Sequence, residues 1–234
     1  MPLPSWSHSR IVDFESCKFK AFLKYDQRIP EPERPLPPGK TEHANDRGTR
    51  VHDAAERYVR GEIDDLIPEL HTFAPEFIRL RGLFPSGAVH LEGEWGMDKN
   101  WEPCDWRTAW LRLKIDSLTF LTPYEAVVVD YKTGKRWGNE IKHTEQTQLY
   151  ALNTALRHPT LEVIHTELWY TDLDELHAIT YERHQALRFR DRWHKRGVAM
   201  TTATDFPANP NIFSCKWCPY GPKGTGHCER GVQK

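Results

Sequence analysis

Apolar residues in the first sixty positions recur at the spacing of helices. A helix is predicted over residues 9–25, after serines that can cap its first turn, with Cys17 inside it. A second is predicted over 43–60, ending at Gly61. Between them, residues 29–40 hold five prolines and are expected to form a loop.

The pattern changes to strands after a region of short helices over residues 62–84. Three strands are predicted over 87–132, in AVHLEGEWGM, AWLRLKIDSLTFL and YEAVVVDYK. The second alternates apolar and polar residues, whereas the third is a solid apolar run, typical of a central strand covered on both faces.

The rest of the chain completes an alternating pattern. A helix is predicted over about 139–158, strands in LEVIHTELWYT and LHAITYE, and a basic helix over about 182–197. This order of elements favours an α/β fold with a central mixed β-sheet flanked by helices.

The 234 residues are expected to form a single domain, 1–234, large enough to bury a core. Within it, we distinguish an N-terminal helix and Pro-rich loop (1–42), a core (43–200) and a C-terminal segment with clustered cysteines (201–234). No apolar run approaches the roughly 20 residues of a membrane span. The N-terminus lacks the pattern of a secretory signal, so a soluble protein of the cytoplasm is expected.

Charge is nearly balanced overall, with 32 Lys and Arg against 33 Asp and Glu. From residue 182 onward, however, 10 basic residues face 4 acidic ones, a balance of +6. Several of these lie on the predicted basic helix with Phe189 and Trp193, and Arg188 and Arg192 are the candidates for contact with DNA phosphates. A solvated helix face would explain the same pattern.

Candidate chemistry centres on the strand VVVDYK. Asp130 and Lys132 are two residues apart, so both side chains emerge on one face of the strand while Tyr131 points the other way. Asp116 lies in the middle of the preceding strand, where a carboxylate is unfavourable unless it is paired or binds a cation. Two acids on adjacent strands could bind Mg²⁺, and the lysine could orient a water or offset charge on a phosphoryl group. An ordinary Asp–Lys surface pair is the simpler alternative for Asp130 and Lys132.

This set of residues resembles the PD-(D/E)XK nuclease superfamily, in the branch of the RecB and AddB nuclease domains and the iron–sulfur nucleases of CRISPR adaptation. The matching features occur in order along the chain: Ser7 and Ser9 before a helix with Cys17, the sequence GTRVH at 48–52, Asp116, Asp130 to Lys132, Gln146 with Tyr150, and three late cysteines.

The resemblance implies a restriction-endonuclease-like core and assigns roles within it. Mg²⁺ or Mn²⁺ would be bound by His52, Asp116, Asp130 and the carbonyl of Tyr131, and Lys132 would be the catalytic lysine. Gly48, one turn before His52, would leave room for a DNA backbone. The family usually has glycine three residues before the first aspartate, where this chain has Leu113, and Asp105 is the nearest other candidate for that aspartate.

Three further residues take roles from the same resemblance. Glu94 occupies about the place of an additional catalytic glutamate, although Glu92 is predicted on the same strand face. Gln146 and Tyr150 stack on one helix face, where they would support the active site or contact DNA. Burial of the tyrosine in the core is the alternative.

The resemblance also implies a [4Fe-4S] cluster that joins the chain ends through Cys17, Cys215, Cys218 and Cys228. From spacing alone, four thiolates could equally bind Zn²⁺. His227 lies next to Cys228, which makes the fourth ligand less certain than the C-x-x-C pair, and Cys104 is expected to be a bystander.

The function implied is a metal-dependent deoxyribonuclease, an exonuclease acting on DNA ends or single strands, of the phage or CRISPR-associated type. Its partner would be a single-strand annealing or recombination protein, and its location the cytoplasm, that of the host if the chain is phage-encoded. The alternative is a non-catalytic nucleic-acid-binding or recombination scaffold of the same fold. No G-x-x-x-x-G-K-[ST] motif occurs, so the chain carries no ATPase motor of that type.

Overall fold

The computed structural model describes residues 3–134 and 136–232. Their contacts divide the chain into two compact units. The sheet unit comprises residues 36–108 and 113–190, and the cysteine unit comprises 3–35, 109–112 and 191–232. These units are not the predicted segments 1–42, 43–200 and 201–234, and helix Arg183–Thr201 contributes residues to both of them, so the predicted division stays a prediction.

The sheet unit contains a six-stranded mixed sheet in the order β2-β1-β3-β4-β5-β6. Only the first two residues of β3 belong to the cysteine unit. The pairs β1/β2, β3/β4 and β5/β6 are antiparallel, and β4/β5 is parallel. A parallel pair needs a crossover connection, and helix α5 (Glu140–Arg157) supplies it. The strands are β1 Val89–Met97, β2 Pro103–Cys104, β3 Leu111–Thr122, β4 Glu125–Lys132, β5 Val163–Tyr170 and β6 Glu175–Glu182.

Helices α3 (Ala44–Arg60) and α4 (Ala74–Leu83) share one core with the sheet. That core includes Val127, Val129 and Tyr131 of β4, which alternate along the strand as the pleat requires. A short 3₁₀ helix, Pro68–Phe73, precedes α4 and contributes to the same core. β4 is buried along most of its length, which confirms the prediction of a central, doubly covered strand.

The cysteine unit contains α1 (His8–Ser16), α2 (Lys18–Ala21), a π-helix (Phe22–Asp26), the C-terminal part of α6 (Arg183–Thr201) and α7 (Ile212–Cys215). The predicted helix over 9–25 is thus interrupted. Cys17 has φ −158° and ψ 110°, an extended conformation, and its N–H donates to the carbonyl of Asp13. Cys17 lies at the junction of two helices and not inside one.

Three tryptophans form the centre of the cysteine unit. Trp6 stacks on Trp193 with ring centroids 6.0 Å apart and meets Trp110 edge-on at 5.3 Å. Gly197 allows this packing, because a Cβ there would lie 2.5 Å from Trp6 Nε1.

The other predicted elements agree with the structure, and the α/β class with a mixed sheet is confirmed. The two-residue strand β2 was not predicted, because two residues show no periodicity. No helix in the described part of the chain is long and apolar enough to cross a membrane.

Candidate active site

An acidic cleft of about 490 Å³ lies within the sheet unit. Its walls come from α3, from strands β1, β3 and β4, and from α5. We call it the acidic cleft, and it is lined by Gly48, Thr49, His52, Asp53, Glu56, Glu92, Lys114, Asp116, Asp130, Gln146 and Tyr150. Most of the residues predicted to act together therefore border one space.

His52 and Asp116 form a hydrogen-bonded pair in this cleft. His52 Nδ1 lies 2.9 Å from Asp116 Oδ1, and the other carboxylate oxygen of Asp116 accepts from the backbone N–H of Tyr131. The mid-strand carboxylate is buried, and both of its oxygens have partners, which offsets the unfavourable transfer of a charge out of water.

His52 and Asp116 each change the pKa of the other. Burial and the charge of Asp130 raise the pKa of the Asp116 carboxyl, although hydrogen bonds from His52 and Tyr131 oppose this. Burial alone would lower the pKa of His52, but the hydrogen bond and charge of Asp116, with the charges of Asp130 and Glu92, raise it to about 9. In the metal-free protein the raised pKa therefore leaves the imidazole of His52 largely protonated at neutral pH.

Asp130 and Lys132 form a second pair, on the same face of β4 as predicted. Lys132 Nζ lies 2.5 Å from Asp130 Oδ2 and donates to Gln146 Oε1 at 2.9 Å. Gln146 Nε2 and the hydroxyl of Tyr150 both donate to Asp130 Oδ1. Gln146 thus contacts both the acid and the lysine and Tyr150 contacts the acid, while their support of an active site and their contact with DNA stay predictions.

Three side chains have ligand atoms close enough to bind a cation together. His52, Glu92 and Asp116 each offer one atom, and all three atoms lie within 4.8 Å of one another. Asp130 Oδ2 is buried and forms an ion pair with the Lys132 ammonium at 2.5 Å, and Asp130 does not belong to this group of three. Carboxylates suit Mg²⁺ and Mn²⁺, so two of the three donors fit such an ion, whereas imidazole is a more usual ligand of other first-row transition metals.

Glu92, and not Glu94, is the glutamate that the structure brings to this group. Glu92 has φ +45°, in the left-handed region. The alternation of β1 nevertheless persists: Glu92 groups with Asp116 and Glu94 pairs with Lys114, two residues apart on β3, so the two glutamates share a strand face as predicted. Glu94 is exposed and pairs with Lys114 at 3.3 Å. Burial and the charges of Asp116 and Glu56 raise the pKa of Glu92.

Two other features near the cleft were not predicted. Glu56 follows His52 by four residues, so the helical spacing could have identified it as a cleft residue. Arg47 donates to the carbonyl of Thr133 at 3.0 Å and to both carboxylate oxygens of Asp172. It thereby ties α3 to the segment that follows Lys132, a contact between distant residues that no sequence pattern reveals.

Other predicted positions lie elsewhere. A Cβ at Gly48 would make ordinary contact with Thr133 Oγ1 at 3.5 Å, so packing does not demand glycine there, and the predicted room for DNA stays a prediction. Asp105 is in a turn, where its side chain accepts from the N–H of Arg107, and does not line the acidic cleft.

The basic helix α6 is only partly available for DNA. Arg188 and Arg192 are exposed, and their DNA contacts stay a prediction, but neither lines the acidic cleft. Arg183 donates to the carbonyl of Ala155 at the end of α5, and Arg196 forms a bidentate pair with Glu15. Trp193 is fully buried, so it is not a stacking platform.

The four predicted cluster ligands border one cavity of about 270 Å³ in the cysteine unit. Cys17, Cys215, Cys218 and Cys228 all line it, whereas Cys104 belongs to the sheet unit. Within the described residues, no three thiol sulfurs lie mutually within 4.8 Å, so the structure does not show a gathered metal site. Burial, above all, raises the pKa of Cys228.

Comparison with known proteins identifies a family that this chain matches. The sequence model described as the PD-(D/E)XK nuclease superfamily matches residues 5–222. Solved structures that match this chain include one from Eubacterium rectale, provisionally named an exonuclease, at 12% identity and a TM-score of 0.49, covering 93% of this chain and 88% of that one. Another is an alkaline exonuclease from Laribacter hongkongensis, at 12% identity and a TM-score of 0.34, covering 85% and 88%. No curated protein is significantly similar in sequence.

Proposed function

The chain belongs to the PD-(D/E)XK nuclease superfamily, and we propose that it is a metal-dependent deoxyribonuclease, an exonuclease of the RecB/AddB-like branch that acts on DNA ends or single strands. The position of Lys132 supports this most directly. Its ammonium lies 2.5 Å from Asp130, in a site where His52, Glu92 and Asp116 can share a cation. An ordinary surface Asp–Lys pair would not be expected in the same cleft as three more possible metal ligands.

We propose that His52, Asp116 and Asp130 hold Mg²⁺ or Mn²⁺, with Glu92 as a further ligand and the carbonyl of Tyr131 as predicted from the resemblance. Ligand oxygens at about 2.0–2.1 Å from Mg²⁺ lie at most about 4.2 Å apart. Because the three grouped atoms are already within 4.8 Å, small side-chain rotations suffice. When bound, the ion would supply a Lewis acid that polarises the phosphoryl group.

The protein's own residues then position the reactants. In hydrolysis, the oxygen of a water molecule bonds to phosphorus while the bond from phosphorus to the leaving oxygen breaks, and the proton that the water loses ends, through solvent, on the leaving oxygen. Lys132 can donate to that water or to a phosphoryl oxygen, where its charge offsets the negative charge that develops. Gln146 and Tyr150 fix the orientations of Lys132 and Asp130 before substrate arrives.

Digestion of end-labelled DNA tests the activity. Wild-type protein with Mg²⁺ or Mn²⁺ should shorten linear single- or double-stranded substrates from an end and leave circular DNA intact. Lys132→Ala should lower the rate about 100-fold or more, whereas the matched variant Lys142→Ala, at an exposed position on α5, should not. Intact substrate after incubation with folded wild-type protein would refute the nuclease and leave the non-catalytic nucleic-acid-binding or recombination scaffold as the better proposal.

We further propose that the cysteine site binds a [4Fe-4S] cluster, with Zn²⁺ as the alternative. Sulfurs around a tetrahedral zinc lie about 3.8 Å apart, given Zn–S bonds of about 2.3 Å. The wider separation of these thiols around a cavity favours the larger group. His227 does not line that cavity, and its Nδ1 lies 2.7 Å from Thr225 Oγ1, which favours Cys228 as the fourth ligand.

Metal analysis of anaerobically purified protein distinguishes these two cofactors. A brown protein with iron and acid-labile sulfide would support the cluster, and a colourless one with zinc would refute it. Cys218→Ser and Cys228→Ser should lose the iron, whereas Cys104→Ser should keep it.

The proposed partner, a single-strand annealing or recombination protein, and the proposed cytoplasmic location, that of the host if the chain comes from a phage, are supported by the sequence resemblance alone. Co-purification of the tagged protein from its native cells would test both.

A further inference from the structure

Two large aromatic side chains project from the surface of the cysteine unit. Phe213 is 81% exposed and Trp217 is 71% exposed, four residues apart around the end of α7. Rings of this size are normally buried, because their exposure forgoes a large hydrophobic stabilisation. With the exposed Ile212 and Val232 nearby in the same unit, they form what we call the aromatic patch.

Lysines accompany these rings. A groove of about 370 Å³ runs beside the patch and is lined by Phe213, Lys216, Lys223 and Val232, among others. The ammonium of Lys216 lies 5.0 Å from the centroid of the Trp217 ring. Across residues 206–232, three basic residues oppose one acidic residue, Glu229, which gives a local charge of +2.

The combination of open rings and ammonium groups fits one class of ligand better than others. A protein partner would favour a continuous apolar surface with few lysines at its centre. A single nucleic-acid strand presents unpaired base faces for stacking and phosphates for ammonium groups. Duplex DNA encloses its base faces within the helix and offers only the phosphates.

We propose that the aromatic patch binds single-stranded DNA, with Phe213 and Trp217 stacking on unpaired bases and Lys216 and Lys223 contacting phosphates. The proposal rests on the proposed function in one respect, that the substrate is DNA. None of the patch residues lines the acidic cleft, so binding at the patch and cleavage can be measured independently. Phe213 and Trp217 also border the cysteine cavity, so the iron content of their variants is measured as well and must equal that of wild type.

Fluorescence anisotropy without added divalent cations measures binding in the absence of cleavage. The probes are a labelled oligothymidine of about 20 nucleotides and a blunt duplex of equal length. Phe213→Ala and Trp217→Ala should each weaken binding of the single strand about 5- to 100-fold, the range expected for losing one stacked base. Duplex binding should change far less. Tyr124→Ala, which removes an exposed ring from the sheet unit, is the matched control and should have no effect.

Four further variants separate stacking from apolar packing and from misfolding. Trp217→Phe keeps a ring and should stay within about twofold of wild type, whereas Trp217→Leu keeps only the apolar bulk and should bind as weakly as Trp217→Ala. Lys216→Gln and Lys223→Gln should each reduce the slope of log affinity against log salt by about 0.7. A purely structural role would not move that slope.

Several results would overturn the proposal: unchanged affinity for the single strand in both alanine variants, wild-type affinity for the single strand in Trp217→Leu, or equal losses of affinity for single strand and duplex. A wild-type dimer that Trp217→Ala converts to monomer, with unchanged DNA binding, would show instead that the patch binds a second copy of the chain. Patch-dependent binding by a protein that cleaves no DNA would refute the proposed nuclease and leave this inference standing.

Discussion

Competition between a proton and a metal ion at His52 gives the most quantitative prediction. The pKa of His52 in the metal-free protein is about 9, because Asp116, Asp130 and Glu92 surround it. At pH 7 only about one ring in a hundred is then neutral, and a metal requires the neutral ring. We expect the dissociation constant for Mn²⁺ to fall about tenfold from pH 7 to pH 8 and to level off above about pH 9.

Isothermal titration calorimetry measures both the affinity and the proton. At pH 7 the observed enthalpy should vary between buffers of different ionisation enthalpy as expected for about one proton released per Mn²⁺ ion. His52→Gln carries no such proton, so its release should fall close to zero. Affinity that is independent of pH between 7 and 8, or equal proton release by wild type and His52→Gln, would refute this account of the pair.

The same raised pKa predicts how stability depends on pH without metal. The protonated His52 stabilises the fold in full below its unfolded pKa of about 6.5, and this contribution is lost as the pH rises through about 9. A shift of this size corresponds to something on the order of 3 kcal/mol. Urea unfolding at pH 6 and pH 9.5 should therefore show a stability difference between wild type and His52→Gln that shrinks at the higher pH.

Three other contacts can be tested by substitution. Glu92→Gln should weaken Mn²⁺ binding about tenfold or more through loss of a charged ligand, and Glu94→Gln should leave it unchanged; equal effects in calorimetry would contradict the placement of Glu92. Arg47→Gln should lower kcat without raising KM and reduce stability by about 1 kcal/mol, because solvent screens its partly exposed ion pair with Asp172. Asp172→Asn should have the same effect. An effect on KM alone would argue against a positioning role for Arg47. Tyr150→Phe removes a buried donor to Asp130 and should cost about 1.5–3 kcal/mol in chemical denaturation; a loss under about 0.5 kcal/mol would contradict it.

The elements that were predicted well are helices of several turns and helices that end at a residue such as glycine. The helix expected over 43–60 is Ala44–Arg60, and it ends at Gly61 in the left-handed conformation that glycine adopts readily. The helix expected over 139–158 is Glu140–Arg157. Long periodic segments repeat their signal over several turns, so an error at one position matters little.

The missed features depend on single residues or on distant contacts. Extended backbone at Cys17 leaves the apolar spacing around it almost unchanged, so a pattern cannot detect the break. Glu92 and Glu94 share a strand face as the alternation predicted, but alternation cannot tell which of the two lies within reach of His52 and Asp116. The pairing of Asp130 with Lys132 followed from the two-residue period, whereas the hydrogen bond from Lys132 to Gln146 depends on how α5 packs.

The backbone at Glu92 has a consequence for efforts to stabilise this protein. Its φ of +45° suits glycine better than any residue with a Cβ, so Glu92→Gly would relieve local strain. A design procedure that ranks substitutions by folding free energy alone would favour that change and would remove a ligand atom from the acidic cleft. Stability and chemistry therefore make opposite demands on this position, and libraries selected for heat resistance should be screened for metal binding as well.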